Sequence, residues 1–312
     1  MVSVIICAHN PHRGRFERTI ESLRGQSLAA DRWQLVVVDN ASEPALESSF
    51  DWSWHPSVTH VVERQLGLVH ARVAGTRAAQ GDWCVTVDDD TPLATDYLEQ
   101  VARIVQEHPG LGIFGGRSFG EFETAPPEWL REFEGSLAVR DRGETVVITK
   151  GGPDAREFPA NAPILIAYSR RTFLDSYLPH YENNAGAQLL GRKGQSLASG
   201  EDNDITMVIY RAGYEVGYFP ELKFTHIIPA RRYEPEYLER LLESSGRTWV
   251  SVLSLHGVNP YPPIHPLTLP LRKLRAAIRL KAWADTPSKL RWKSSCGNLQ
   301  GRADLWRAAR KQ

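Results

Sequence analysis

Five short apolar runs, rich in β-branched residues, recur through the first 116 residues and constrain the fold more than any other feature. They are VSVIICA (2–8), QLVVVD (34–39), VTHVVE (58–63), WCVTVD (83–88) and LGIFGG (111–116). Nearly continuous apolar runs are typical of strands covered on both faces. Between them, apolar residues recur at helical spacing, as in Phe16, Ile20 and Leu23. This alternation predicts an α/β fold with a doubly wound, mostly parallel sheet.

The first, second and fourth runs each end in residues that can bind a polar ligand. These are His9 and Asn10, then Asp39 and Asn40, then the acidic triplet 88–90. Ligands of open α/β sheets bind beyond the carboxyl ends of the strands, so these side chains are predicted to meet at one edge. Carboxylates together with substrate phosphates suit Mg²⁺ or Mn²⁺. Alternatively, the triplet begins the next helix, where carboxylates cap free N–H groups.

The second half of the chain is less regular, and its predicted elements are more varied. In order, these are a loop entering a short helix (124–133), a strand (163–169) with a short helix through Leu178, a mobile loop (183–200), a helix (201–213), two strands (214–219 and 222–228) and a long helix (234–256).

Polar residues in this half are candidates for chemistry, and each has a structural alternative. Asp202 and Asp204 lie at the start of a predicted helix. A carboxylate there could act as a general base, or these residues could simply cap the helix. His226 is a candidate metal ligand, or a core residue with its polar atoms satisfied. Arg231 and Arg232 could clamp phosphates, or pair with nearby glutamates.

The net charge is zero, but the charges are unevenly distributed. Residues 264–312 hold twelve Lys/Arg against two Asp/Glu, after a Pro-rich stretch (259–270) predicted to be a linker. Leu271, Leu274 and Ile278 share one predicted helical face, with basic residues on the others. This pattern is typical of an interfacial helix on an anionic membrane. The alternative is a basic helix packed on the body.

Several classes of protein are not predicted. No apolar run is long enough to span a membrane, and the N-terminal MVSVIICAHN lacks the basic flank of a signal peptide. Cys7, Cys84 and Cys296 share no CxxC spacing, which argues against a cysteine zinc site or a disulfide framework. We therefore expect a cytoplasmic protein, peripheral on the inner membrane face if the tail binds lipid, and no nucleic-acid partner.

Six motifs occur in an order and spacing that resemble the inverting family 2 glycosyltransferases of the GT-A fold, over residues 1–250. They are VSVIICAHN, LVVVDNAS, GLVHARVAGTRAAQGDW, VDDDTP, SGED and FTHIIPARR. The resemblance implies transfer of a sugar from a nucleotide-diphosphate sugar, UDP-sugar first, to an acceptor hydroxyl. The stretch LLGRKGQSLASGED resembles a bacterial subgroup that builds surface polysaccharides. The Q-x-x-R-W signature of processive synthases is absent, which favours one sugar per encounter.

The resemblance also implies a role for each matching residue. The nucleotide would be bound near its base and ribose by Ala8, Asn10, Asp39 and Arg72, and also by Asp88 and Asp89. The metal ion, Mn²⁺ or Mg²⁺, would be held by Asp90 and His226, and the departing nucleoside diphosphate by Arg231 or Arg232. The catalytic base would be Asp202, and the acceptor would be contacted by Trp129 and Glu201.

The predicted organisation has three parts. Residues 1–116 form a nucleotide-sugar-binding half, 117–258 an acceptor-binding and catalytic half of the same domain, and 259–312 a linker with a basic helical tail. A glycan or a lipid-linked molecule is the expected acceptor. Two other readings are a non-catalytic nucleotide-sugar-binding or scaffold protein of the same fold, and a nucleotidyltransferase or Asp-dependent phosphotransferase.

Overall fold

The computed structural model describes residues 1–192, 194 and 196–310, and a mixed sheet lies at its centre. The strands are β1 (Val2–Ala8), β2 (Trp33–Asp39), β3 (Val58–Val62), β4 (Trp83–Asp88), β5 (Leu111–Phe122), β6 (Val147–Lys150), β7 (Ala167–Ser169) and β8 (Glu215–Ile228). Within the described chain they form one eight-stranded sheet in the order β3-β2-β1-β4-β7-β5-β8-β6. The predicted α/β fold with a doubly wound, mostly parallel sheet is therefore confirmed.

Helices flank this sheet. The α-helices are α1 (Arg13–Arg24), α2 (Leu46–Ser49), α3 (Leu68–Ala78), α4 (Tyr97–Glu107), α5 (Arg170–Thr172), α6 (Leu178–Asn183), α7 (Glu201–Arg211), α8 (Pro235–Leu255), α9 (Leu269–Leu280) and α10 (Thr286–Ala308). Shorter 3₁₀ segments are Ala30–Arg32, Glu128–Leu137, Ala187–Leu189, Ala230–Arg232 and Pro266–Thr268, and Phe173–Tyr177 is a π-helical turn.

The parallel register of β2, β1 and β4 gathers the predicted ligand-binding residues. Every residue of β1 and β2 is buried, as their continuous apolar runs indicate. Ala8 pairs with Asp39, and Cys7 pairs with Asp88 on the other side. Three strands therefore end together at one edge of the sheet.

The helix α3 stops at Ala78, three positions before Gly81. The backbone N–H of Gly81 donates to Ser3 Oγ at 2.8 Å. A Cβ on Gly81 would lie 2.7 Å from the backbone nitrogen of Ser3, so this glycine permits close contact with β1.

The two strands predicted at 214–219 and 222–228 are one strand, β8. It runs parallel to β5, with a register shift in which Gly115 and Arg117 pair with Tyr218 and Lys223. A Cβ on Gly116 would lie 2.0 Å from the carbonyl oxygen of Leu222. The bulge in β8 therefore passes directly over a glycine, which keeps the strand continuous.

Two further differences concern the middle of the chain. The strand predicted at 163–169 is shorter, since only Ala167–Ser169 pairs, antiparallel to both β4 and β5. Edge strand β6 was not predicted, although Val146, Val147 and Ile148 carried the signal in their β-branched side chains. In the predicted loop at 183–200, residues 193 and 195 lie outside the described residues, as do tail residues 311–312.

The tail is packed on the body through α10. A Cβ on Gly297 would lie 2.0 Å from Glu243 O, and one on Gly246 2.5 Å from Ser294 O. Glycines on both helices therefore let the backbones of α8 and α10 approach closely. Ion pairs add to this contact, as between Lys293 and Glu243 at 3.4 Å. The α9 helix differs, because its apolar face is exposed.

Candidate active site

The acidic triplet forms a turn after β4. Asp88 N–H donates to Thr91 Oγ1 at 3.0 Å, and Thr91 Oγ1 donates back to the Asp88 carbonyl at 3.0 Å. The next helix begins only at Tyr97. The triplet lies before the first turn of this helix, so these three carboxylates do not cap it. The structural alternative given for them in the sequence, helix capping, is therefore wrong.

Backbone hydrogen bonds bring Asp90 beside β8. Its carbonyl accepts from Ile227 N–H at 2.9 Å, and the carbonyl of Pro92 accepts from Thr225 N–H at 2.9 Å. As a result, Asp90 Oδ1 lies 3.5 Å from His226 Nε2. Two residues 136 positions apart, both predicted from the sequence as metal ligands, are therefore neighbours.

The hydrogen bonds of His226 fix which of its ring nitrogens can bind a metal. Arg232 Nη1 lies 2.9 Å from Nε2 and 3.1 Å from Asp90 Oδ2. A guanidinium group only donates, so Nε2 presents its lone pair, while Nδ1–H donates to the carbonyl of Leu137 at 2.7 Å. This tautomer is the one that binds metals.

The carboxylate of Asp90 and the Nε2 lone pair of His226 thus face the same position, which the guanidinium of Arg232 occupies. Burial by itself would raise the pKa of Asp90, but the positive charge of Arg232 beside it lowers the pKa. Asp90 is therefore ionised at neutral pH. This donor set fits Mn²⁺ or Mg²⁺, which bind one or two carboxylates along with phosphate oxygens.

Arg72 lies at the centre of a second acidic group. The residue is 3% exposed, and its Nη2 lies 3.3 Å from Asp88 Oδ1. Its Nη1 lies 3.3 Å from Glu201 Oε1 and also donates to Asp202 Oδ1. One guanidinium on α3 therefore joins the end of β4 to the first turn of α7.

The pKa of Asp202 depends on its burial and on Arg72. Burial raises its pKa to about 7, although Arg72 acts to lower it. The side chain keeps 23% exposure, so it can reach a ligand. A carboxylate with a pKa near neutrality is suited to general acid–base chemistry.

Two neighbouring cavities share this part of the molecule. The first, of about 290 Å³, is lined by Ala8, Asn40, Arg72, the acidic triplet and Glu201 among other residues. The second, of about 370 Å³, lies against α8 and includes Tyr237 and Trp249 in its lining. Asp202, His226 and Arg232 line both. Asp202 therefore lies in the wall between a strand-end cavity and a helix-lined cavity.

Four residues named by the resemblance do not line either cavity in the described structure. Asp39 accepts from the backbone N–H groups of Ser42 and Leu46, at 2.7 and 2.9 Å, and so holds its own turn. Asn10 Oδ1 accepts from Glu43 N–H at 2.8 Å. Trp129 packs edge-on against Phe133, with ring centroids 6.3 Å apart, and Arg231 is exposed. Their predicted ligand contacts remain predictions.

Sequence reasoning gave no site role to several of the residues that line these cavities. Arg192 lines both cavities and also lowers the pKa of Asp90. Its only signal was a basic side chain within a Gly-rich loop directly before the GED motif. Tyr237 and Trp249 lie on the predicted long helix, but their separation along the chain places them about 120° apart around its axis, so helical spacing gave no signal for them.

A GT-A sheet whose strand ends carry acidic residues, next to a two-part cavity, defines the class of protein: a glycosyltransferase that uses a nucleotide-sugar donor. The chain belongs to glycosyl transferase family 2, because the sequence model of that family matches residues 3–165, just over half of this chain. The resemblance identified from the six motifs is thereby confirmed.

Similar proteins include a glucosyl-dolichyl phosphate glucuronosyltransferase from Haloferax volcanii, 24% identical over 76% of this chain and 72% of that protein. An N-acetylglucosaminyltransferase from Rhizobium sp. is 25% identical over 74% of this chain, which spans about half (49%) of that relative.

Solved structures share the fold. Residues 1–349 of S. aureus TarS match with a TM-score of 0.51 and 13% identity, covering 99% of this chain and 91% of that one. The mannosyltransferase PcManGT from Pyrobaculum calidifontis, solved with GDP-Man and Mn²⁺, matches with a TM-score of 0.52 and 21% identity, over 99% and 79%. At these identities the likeness concerns the fold alone.

Proposed function

We propose that the chain is a metal-dependent, inverting glycosyltransferase that moves one sugar from a nucleoside-diphosphate sugar to an acceptor hydroxyl. The observation that carries this proposal is the position of Asp202. It lies between a cavity lined by the strand-end aspartates and a second cavity against α8. In this proposal the first cavity takes the donor and the second takes the acceptor.

The donor cavity provides groups of both signs for a nucleoside diphosphate. Asp88 and Asp89 would accept hydrogen bonds from donor hydroxyls, while Arg232 would move from Asp90 to hold the diphosphate. Asp90 and His226 would hold a divalent cation, which when bound neutralises charge on the departing diphosphate.

Asp202 would act as the general base. It takes the proton of the acceptor hydroxyl as that oxygen attacks the anomeric carbon. The nucleoside diphosphate leaves from the opposite face toward Arg232, so a single in-line displacement inverts the configuration. Release of the Asp202 carboxylate from Arg72 is part of this step, because the two groups are hydrogen-bonded in the free protein.

For the donor, UDP-sugar is the first proposal and GDP-sugar the second. The resemblance favours UDP, and one fold neighbour was solved with GDP-Man. For the acceptor, a glycan or a lipid-linked molecule is proposed, since the name of one relative includes a dolichyl phosphate. We further propose a role in the synthesis of surface polysaccharide, on the resemblance of residues 189–202.

An anionic membrane surface is proposed as the partner of α9. Leu271, Leu274 and Ile278 are each 52–57% exposed on one face of this helix. The helix also carries four basic side chains, Arg272, Lys273, Arg275 and Arg279, and no acidic ones. An exposed apolar face beside positive charge complements anionic lipid headgroups. No helix among the described residues is long and apolar enough to cross a membrane.

A direct test combines binding and turnover. Thermal unfolding is followed with UDP, GDP and dTDP, each with and without Mn²⁺, and the corresponding nucleotide sugars are then tested for slow hydrolysis. A transferase is expected to be stabilised by one nucleotide and to hydrolyse its sugar conjugate. Stabilisation without any hydrolysis or transfer would instead indicate a non-catalytic nucleotide-sugar-binding protein.

A further inference from the structure

Away from both cavities, two histidines and one aspartate converge. His180 Nε2 lies 3.1 Å from Asp204 Oδ1, and His256 Nε2 lies 2.7 Å from the same oxygen. The two imidazole rings are stacked, with centroids 5.4 Å apart and planes 21° from parallel. All three potential ligand atoms lie within 4.8 Å of one another.

The cluster joins three helices that are distant in sequence. His180 lies on α6, Asp204 lies in the first turn of α7, and His256 follows the last residue of α8. Asp204 is 0% exposed and the His256 side chain is also buried. A carboxylate placed so deeply needs a compensating positive charge or several hydrogen bonds.

The hydrogen bonds observed do not complete the site. Among the described residues, Asp204 Oδ2 is buried without a hydrogen-bond partner, and so is the hydroxyl of Tyr177. The charge of Asp204 acts on this hydroxyl, adding to the effect of burial in raising the pKa of Tyr177. Two unsatisfied buried oxygens beside a His–Asp–His cluster indicate a missing ligand, because such atoms normally find an ion or a water.

We propose that His180, Asp204 and His256 bind one transition-metal ion, and that this ion is zinc. Two imidazole nitrogens and one carboxylate oxygen are a common zinc ligand set. The ion would fasten α6 and the end of α8 to the first turn of α7. That turn also carries Asp202, whereas Asp204 itself lines neither of the two cavities in the described structure. The zinc site is therefore a positioning site, distinct from Asp90 and His226.

The test measures zinc binding to the full chain without nucleotide, with visible absorption of Co²⁺ as a second probe. The variants are His180→Gln and His256→Gln, and the control is His226→Gln, which alters only the other proposed metal site. Wild type and His226→Gln are expected to bind one equivalent of zinc at the cluster and to unfold at a higher temperature with it. His180→Gln, at a partly exposed position, should bind it more than about 100-fold more weakly, because even outer-shell changes cost about 10- to 100-fold.

The absorption of Co²⁺ reports the same site independently, since imidazole and carboxylate ligands give a visible band that both cluster variants should lose. Equal zinc affinity in wild type and His180→Gln would overturn the proposal. So would zinc binding that disappears only in His226→Gln. In either case the cluster would be a hydrogen-bonded triad completed by water.

Discussion

Arg72 donates a hydrogen bond to the carboxylate of Asp202, although 130 positions separate the two residues in the chain. The same guanidinium pairs with Asp88 and Glu201, and the residue is 3% exposed. In the free protein the proposed base, Asp202, is therefore ion-paired with Arg72. This ion pair has to break or rearrange before the Asp202 carboxylate can accept a proton from an acceptor.

We expect Asp202→Asn to lower the rate of sugar transfer by about 10²- to 10⁴-fold, the usual contribution of a general base. Nucleotide affinity should stay close to wild type, because the other groups of the donor cavity are unchanged. Transfer is measured with radiolabelled donor, and affinity by calorimetry. Asp31→Asn, an exposed position, is the control. Turnover near the wild-type rate would remove Asp202 from the mechanism.

The pH profile should show an inflection near 7, where the buried Asp202 carboxyl titrates. The ionised form is the base, so kcat/KM should rise with pH up to about 7 and level off above it. Below the inflection the rate should fall about tenfold per pH unit. Burial, and then Asp90 and Asp88, also raise the pKa of Asp89 to about 7. An inflection that disappears in Asp89→Asn would assign it to that residue instead.

Arg72→Met should destabilise the fold by about 3–5 kcal/mol, since it leaves the buried Glu201 carboxylate and the partly buried Asp202 without their counter-charge. It should also raise the pKa of Asp202, because Arg72 acts to lower it. Arg77→Met, on the same helix, is the matched control: its ion pair with Glu182 is exposed, so the loss should be below about 1 kcal/mol. Urea unfolding measures the free energy of unfolding of both variants. Equal losses of stability in Arg72→Met and Arg77→Met would show that the ion pairs of Arg72 contribute no more than an exposed surface ion pair.

Replacing three exposed residues of α9, in Leu271→Ser/Leu274→Ser/Ile278→Ser, should weaken binding to anionic vesicles at least tenfold. The reason is the lost apolar contact, about 1.5–3 kcal/mol for each fully buried leucine-sized side chain. Donor hydrolysis should be unchanged. Val62→Ser/Leu189→Ser removes exposed apolar surface elsewhere and should bind normally. If vesicle binding persists and the α9 variant instead changes a dimer into a monomer, the face covers a second copy of the chain.

The sequence predicted those parts of the molecule that depend on local pattern. Strands β1 to β4 were predicted within two residues, because their apolar runs pack on the sheet; β1, β2 and most of β4 are buried, whereas the edge strand β3 is only partly buried. The continuity of β8 could not be predicted, since it depends on the absence of a side chain at Gly116, on another strand. Glycine spacing alone does not reveal which backbone will pass over it.

The same distinction applies to the site. The strand-end position of Asp90 was predictable, because it directly follows β4. Its closeness to His226 was implied only by the resemblance, since His226 lies within β8 and does not follow a strand. The central position of Arg72 was not, since it depends on where one long side chain reaches from α3. Asp39 illustrates the converse: its acidic side chain follows a strand, yet in the free protein the turn behind it uses both carboxylate oxygens.

Nucleotide binding with and without Mn²⁺ tests most directly whether Asp90 and His226 hold a divalent cation against the donor's diphosphate. UDP and GDP are each titrated calorimetrically into wild type, His226→Gln and the control His108→Gln, a histidine at the C-terminal end of α4 that lines neither cavity in the described structure. One of the two nucleotides should bind wild type and the control at least tenfold more tightly with Mn²⁺, and His226→Gln should lose this gain. Identical Mn²⁺-dependent binding in His226→Gln, or no effect of Mn²⁺ on wild type, would contradict the claim.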